Sequence, residues 1–336
     1  MGQRGNVGLG GVLEDWRRDP SRTLRLEQDY VRSLPFSLRP YGHSLSHARE
    51  FGELKVGLWT VPGSPSVALV SWKSFPGRGT RVSHLFVDSP TPSPTLLSDI
   101  LAVLSEREGP VFALTDLLAG LSPEEVRPLL QEMGYVHFEH VDTVFPSGKP
   151  LPPVPTTGHW GFRPIAPSDE AVLVEISCRA YAGYEEQLMW PTLDLRRDLM
   201  DYVRDSLSGG EEKLILGASL LAFTGEVPVG YILSSLPSNG NPYVASVQVD
   251  PAFQGQGVGR ALLLRVLSEL RALYPAQDVG LTYVRQNVRG RALYDSVGFE
   301  PLPAEQRRTV GSWLSRKALA SLPQSSVKPG WGENGE

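Results

Sequence analysis

The sequence predicts a mixed α/β fold laid down in two tandem copies, on three observations. Residues 247–269, VQVDPAFQGQGVGRALLLRVLSE, run as a strand, a turn, a glycine-rich loop and the start of a long helix. Two stretches of the first half recur, in the same order, in the second half. Between the halves lies Pro146-Ser147-Gly148-Lys149-Pro150-Leu151-Pro152-Pro153-Val154-Pro155, which forms neither helix nor sheet and reads as an extended spacer.

Residues 1–22 are rich in glycine and charge and are expected to be a flexible, loosely held segment. A first domain is expected over 23–145. Val56–Val61 and Ser66–Trp72 read as strands around the turn-forming Pro62-Gly63-Ser64-Pro65. Arg81–Asp88 is a further strand, Leu96–Leu104 has helical spacing, and Val111–Thr115 is a short apolar strand. Ser122-Pro123-Glu124-Glu125 starts a helix, with serine as cap, proline at the first position and acids toward the dipole. Gly134 ends that helix, and Tyr135–Phe145 reads as strand. The spacer fills 146–159, a second domain is expected over 160–320, and 321–336 is expected to be a disordered tail.

The repeats are Leu101-Ala102-Val103-Leu104-Ser105-Glu106 with Leu264-Arg265-Val266-Leu267-Ser268-Glu269, and Arg127–Tyr135 with Arg291–Phe299. The first pair follows a Val-Asp strand end in each half, Val87-Asp88 and Val249-Asp250. Offsets of 163 and 164 residues keep order and spacing, as expected for two copies of one fold. The copies differ where chemistry would sit. The glycine loop of the second corresponds to Pro90–Pro94 in the first, and proline has no N–H to offer. Tyr294 corresponds to Leu130, which has no proton to give. The first copy is therefore expected to have lost cofactor chemistry. It serves as scaffold, as a wall of the acceptor site, or purely as a packing partner.

In the second copy Val247 and Val249 alternate with Gln248 and Asp250, and Asp250-Pro251 ends the strand. Gln254-Gly255-Gln256-Gly257-Val258-Gly259 follows, and Ala261, Leu262, Leu263, Val266, Leu267 and Leu270 recur at helical spacing. Glycines ahead of a helix start let backbone N–H groups converge, and the helix dipole adds positive potential, so this is an anion site suited to a pyrophosphate. It is not a Walker loop, because Arg260-Ala261 replaces Lys-Ser/Thr, and it is not the G-x-G-x-x-G of a dinucleotide fold. Its pattern is Q-x-x-G-x-G after a V-x-V-x-P strand end. Some 30 residues on come the strand residues 281–286, then Asn287, Leu293-Tyr294 and Gly298-Phe299.

On these two motifs the second half resembles the GCN5-related N-acetyltransferase (GNAT) superfamily. The resemblance covers 160 to about 320 well and 23–145 weakly. An intact second copy behind a decayed first one resembles the tandem, mycothiol synthase-like acetyltransferases. One departure is Gly290, where the family has alanine; it is expected to weaken its helix by about 1 kcal/mol.

The resemblance implies, for each copy, a central and largely antiparallel sheet flanked by helices. It implies acetyl-coenzyme A as cosubstrate, no metal, and acyl transfer to a primary amine by direct attack. Val247, Gln248 and Val249 would pair their backbone with the pantetheine arm, and Val247 N–H would donate to the thioester oxygen. The N–H groups of Gln254, Gly255, Gln256, Gly257, Val258, Gly259 and Arg260 would grip the pyrophosphate, with Arg260 adding charge. Asn287 would touch the arm, and Tyr294, a phenol near pKa 10, would protonate the leaving thiolate. As bare residues, the valines read as core, Tyr294 as a packing residue and Asn287 as a helix cap.

The base is the open assignment. Many relatives place a glutamate on the strand before the loop, but Tyr243–Val249 carries no carboxylate. All six histidines precede the second domain proper. The candidate is Glu185, beside Glu186 in the segment after the first helix, where the family builds its acceptor site; Tyr181, Tyr184 and Trp190 would supply apolar walls. A solvated acidic turn, a water chain and a first-domain group are the alternatives. Cys178, with no histidine near it in sequence, reads as core. His43/His47 and His137/His140 lack further ligands at metal spacing.

At 336 residues the chain suits two domains, and 41% hydrophobic residues suffice for two cores. A net charge of −5 argues against nucleic acid as partner. A single cysteine excludes an internal disulfide and fits a reducing compartment. No run of 18 apolar residues exists to span a membrane, and MGQRGNVGLGG, without an apolar core, is expected to be neither a signal peptide nor a myristoylation site. The expectation is a cytoplasmic monomer, its two copies imitating a dimer, that acts on a small-molecule or peptide amine. The alternative from another class is a coenzyme A-binding sensor or scaffold without turnover.

Overall fold

The computed structural model describes residues 11–50, 54–89, 94–153, 160–182, 184–190, 194–209, 213–237 and 240–321. Residues 90–93 of the proline-broken turn, the spacer from 154 to 159 and all but one residue of the expected tail lie outside these. The chain forms two units. One runs to Glu139 and adds Glu305–Ser321; the other spans His140–Ala304.

The first unit contains β1 (Val12–Asp15), α1 (Pro20–Ser33), α2 (Arg39–Glu50), β2 (Lys55–Thr60), β3 (Val67–Phe75), β4 (Gly79–Asp88), α3 (Pro94–Glu108), β5 (Val111–Thr115), β6 (Leu118–Ala119), α4 (Pro123–Glu132) and β7 (Tyr135–Phe138). The second contains β8 (His140–Phe145), β9 (Trp160–Pro164), α5 (Glu170–Tyr181), α6 (Leu195–Ser208), β10 (Lys213–Leu214), β11 (Leu220–Thr224), β12 (Val227–Leu236), β13 (Tyr243–Val249), α7 (Val258–Leu273), β14 (Val279–Val284), α8 (Val288–Val297) and β15 (Glu300–Pro301). The chain then returns to the first unit with β16 (Ser312–Ser315) and α9 (Arg316–Ala320). Residues 12–22, expected to be loose, hold an edge strand paired with β2 and the start of α1, whose Asp19 accepts from Arg22 N–H. Among the described residues no helix is long and apolar enough to cross a membrane.

The strand orders are β1-β2-β3-β4-β5-β16-β7 and β9-β11-β12-β13-β14-β8-β15, one topology twice, antiparallel except at β4/β5, β4/β6 and β13/β14. Each sheet is covered on both faces. In the second, Ile232 of β12 packs with Leu262, Leu263, Val266 and Leu267 of α7 on one face. Its neighbours Tyr231 and Leu233 pack with Leu173, Ile176 and Leu199 of α5 and α6 on the other, as the period of two in a strand requires.

Two features depart from the sequence reading. The stretch 135–145 is two strands in different sheets: β7 pairs with β16, whereas β8 inserts between β14 and β15. Alternation along a strand shows which side chains are buried, not which strand lies alongside, so this exchange leaves no local signal. The second departure is in the first sheet, where the gap left by parting strands is closed by a further strand. β13 and β14 share a single ladder pair, Tyr243 with Gly280, and diverge beyond it. β4 and β5 likewise pair only from Thr80 to Val82. There the chain fills its own gap: β6 pairs with β4 at Leu85 and Phe86, the positions that correspond to Val247 and Gln248. Gly120 makes that return possible at φ +82, where a Cβ would collide with the Val87 carbonyl oxygen.

Gly120→Ala should therefore cost clearly more than Gly134→Ala. The latter has φ +84 with nothing near its missing Cβ, so only the left-handed backbone penalty of about 1–2 kcal/mol applies. Urea denaturation of the two variants checks this, and equal losses would mean that β6 is not held against β4.

Candidate active site

A cleft of about 820 Å³ opens where β13 and β14 part. Its walls include Val244–Val249 of β13, Leu281–Val284 of β14, the glycine loop, Tyr181 and Tyr184 with Glu186, and Asn287, Arg289 and Tyr294 of the α8 region.

Backbone direction on β13 follows from the ladder. Asp250 N–H donates to Val229 O at 2.9 Å, so Asp250 and, two residues back, Gln248 turn their peptide groups toward β12. Val247 and Val249 turn theirs toward the gap. Gln254 Nε2 donates to Val249 O at 3.0 Å from that side. Gln248, expected to offer its backbone, spends it on β12; its side chain instead lines the cleft and hydrogen-bonds Tyr181.

The loop does three separate things. Gly255 (φ +75) and Gly257 (φ +88) take left-handed backbone, and nothing lies within 4 Å of where their Cβ atoms would be. Gly257 is the N-cap of α7, so the N–H groups of Val258, Gly259 and Arg260 have no partner within the helix. Gly259 serves close packing, since a Cβ there would stand 3.3 Å from Leu293 Cδ2. One expected donor is already engaged, and the side chain of a second residue turns away from the cleft. Gln254 N–H turns back to Pro251 O at 3.4 Å, and Gln256 is exposed, does not line the cleft and donates its side chain to Ala252 O. Arg260 lines the cleft, and its Nη1 is buried without a hydrogen-bond partner among the described residues. A cationic nitrogen left bare beside an open left-handed glycine loop is the donor set that a pyrophosphate requires.

Tyr294 packs edge-on to Phe299 at 6.2 Å and tilted on Tyr283 at 5.6 Å. Burial first, then the charge of Glu186, pushes its phenol up to about 12, so it carries its proton throughout the neutral range. Asn287 Oδ1 accepts from Gly290 N–H at 2.8 Å, so its side chain caps α8 and also borders the cleft. Gly290 is not simply a missing alanine: a Cβ there would press on the Asn287 side chain at 3.0 Å.

The acidic turn is not solvated. Glu185 Oε2 and Glu186 Oε2 are both buried with no hydrogen-bond partner among the described residues. Burial raises both carboxyls, that of Glu186 to about 7, helped by Glu185 beside it. Glu186 lines the cleft and Glu185 does not, so the turn presents the residue after the expected one. Burial also raises the Tyr181 phenol, with Tyr231 and Glu186 adding to it. Cys178 is half-buried among the side chains of α5 and α6, and burial raises its thiol, as a core reading requires. Sequence reasoning missed Arg289, whose Nη1 donates to Gln254 Oε1 at 3.1 Å and to Tyr184 Oη at 3.4 Å, tying the loop to the acidic turn. An exposed arginine at the start of a helix carries no local signal of such a reach.

A model of the acetyltransferase (GNAT) family matches residues 180–299, which span the cleft and its loop. Over that stretch the chain is similar to the GNAT family. A mycothiol acetyltransferase from Beutenbergia cavernae is 32% identical over 139 residues, 40% of this chain and 42% of that protein, so the match spans about two-fifths of the relative. A GCN5-related N-acetyltransferase from Sphaerobacter thermophilus superposes with a TM-score of 0.56 at 15% identity, over 90% of this chain and 94% of that one. A tandem GNAT protein from the clavulanic acid biosynthesis pathway gives 0.50 at 15% identity, over 90% and 97%. At these identities the two structures establish the fold, and it is the tandem GNAT fold over nearly the whole chain.

Asn287→Ala should lower stability by about 1 kcal/mol through loss of the cap, whereas Asn287→Asp, which keeps an acceptor oxygen, should retain most of it. Thermal denaturation of the two variants checks the assignment.

Proposed function

We propose that the second unit transfers an acyl group, acetyl in the first instance, from coenzyme A to a primary amine by direct attack. The observation that carries this reading is the open parting of β13 and β14 beside a left-handed glycine loop whose Arg260 nitrogen is buried and bare. The first N–H groups of α7 and Arg260 would hold the pyrophosphate. The outward peptide groups of Val247 and Val249 would pair with the pantetheine arm, and Val247 N–H is the donor for a developing oxyanion. The bound thioester supplies the activated acyl carbon. Tyr294, protonated and lining the same cleft, supplies the proton for the departing sulfur.

The first unit takes no part in cofactor binding, because β6 occupies the corresponding edge of β4. The acceptor is a small molecule or a peptide amine. The likeness to mycothiol acetyltransferase makes a cysteinyl amino-sugar one candidate. The absence of a carboxylate on β13 is what a coenzyme A-binding protein without turnover would also display.

Titration calorimetry should find one acetyl-coenzyme A site per chain, abolished by Gly257→Glu, which puts a bulky anion on left-handed backbone in the cradle. Two sites would restore cofactor binding to the first unit, and none would withdraw the proposal. Tyr294→Phe should keep that affinity while lowering amine-dependent thiol release by about 10²–10⁴-fold. Binding with no release under any amine would favour the sensor.

A further inference from the structure

Burial of a glutamate in this protein has two forms. Glu27 is nearly inaccessible, and its carboxylate takes Arg49 Nε at 2.7 Å and Ser46 Oγ at 2.9 Å, as a buried charge in a purely structural role requires. Glu186 has no such partner. Its Oε2 is buried and bare among the described residues, and the side chain lines the cleft with Tyr181, Tyr184 and Tyr294. Among the described residues it is the sole carboxylate lining the cleft, on a chain whose β13 has none.

Given the transfer reading above, on which this rests, we infer that Glu186 is the general base, accepting a proton from the acceptor's ammonium group beside Tyr181 and Tyr294. The charged and titratable groups around it are Glu185 on its own turn, Tyr181 on α5, Tyr184, Tyr283 on β14, Tyr294 on α8, and the cleft cations Arg260 and Arg289. Burial and Glu185 hold its carboxyl near 7, where about half is ionised at neutral pH, the range in which a base is most effective.

The protons balance. Glu186 takes one from the ammonium and later gives it to solvent. The freed nitrogen forms the C–N bond as the C–S bond breaks. Tyr294 gives its phenolic proton to the departing sulfur and regains one from the nitrogen's second N–H as the amide forms. The acceptor that fits is a cationic primary amine whose body packs against tyrosine rings.

The test follows thiol release from acetyl-coenzyme A with tyramine, glucosamine and an unblocked dipeptide as probe amines. Activity resides in ionised Glu186, so wild-type kcat/KM should climb with pH and level off above about 7. Glu186→Gln should lose about 10²–10⁴-fold and lose the climb, with acetyl-coenzyme A affinity unchanged as a check on folding. Glu185→Gln should keep the climb but move it to lower pH, because it removes a neighbouring negative charge. Infrared titration, as wild type minus Glu186→Gln, should find a carboxyl titrating near 7 without any acceptor. A carboxyl in the ordinary range, or a Glu186→Gln profile like wild type, overturns the base alone. Acetyl-coenzyme A binding with no thiol release from wild type under any amine overturns the transfer reading and the base with it.

Discussion

The site depends on two neighbouring strands failing to stay together. β13 follows β12 through a register shift at Leu233/Ser234, which leaves Ala245 as the extra residue, and such bulges increase local twist. β14 keeps one ladder pair with it and then runs off beside β8. Peptide groups of β13 then face a gap, and buried polar backbone must find a partner. The first unit has a shift at the equivalent place, Ser71/Trp72, and the same parting. There the chain supplies the partner itself, through β6. One constraint has two solutions, a gap closed by the protein's own backbone and a gap left open as a cleft.

Around the open gap, opposite charges are kept apart and left incomplete. Arg260 holds a bare cationic nitrogen at the head of α7, and Glu186 holds a bare carboxylate oxygen on the turn after α5. Each costs stability while nothing is bound, because a buried polar atom without a partner forfeits its hydration. Two clamps hold these elements in place: Arg179 Nε on Asp250 at 2.6 Å, and Arg289 between Gln254 and Tyr184.

Much of the fold was legible because it is locally written. The Gln254–Gly259 loop, the Asn287 to Tyr294 spacing and the two repeats each sit within a short window, where glycine conformation and helical period act directly. Asn287 caps α8, as its bare reading has it, and also borders the cleft. What was not legible is non-local. Whether Glu185 or Glu186 faces the cleft is set by the pitch of a short 3₁₀ turn and by what packs on it. That Gln254 N–H turns back to Pro251 follows from the turn ahead of the loop. That β6 closes the gap beside β4 was not legible either, because a two-residue strand is too short to stand out by periodicity.

The exchanged strands have a consequence for how the molecule is made. β16 lies between β5 and β7, pairing Leu314 with Ala113 and Val136. Two strands complete early in synthesis thus wait for a segment roughly 200 residues further along. Until it arrives, each presents an unpaired edge of the kind that invites wrong partners. Long-range closure of this sort slows folding, since chain entropy is lost before the contact forms. It also means that the proline-rich spacer, for all its appearance as a place to cut, is not a seam. Severing the chain there leaves each fragment without an inner strand, β16 for the first sheet and β8 for the second, and with an orphan strand in its place, so each sheet draws one strand from beyond the spacer.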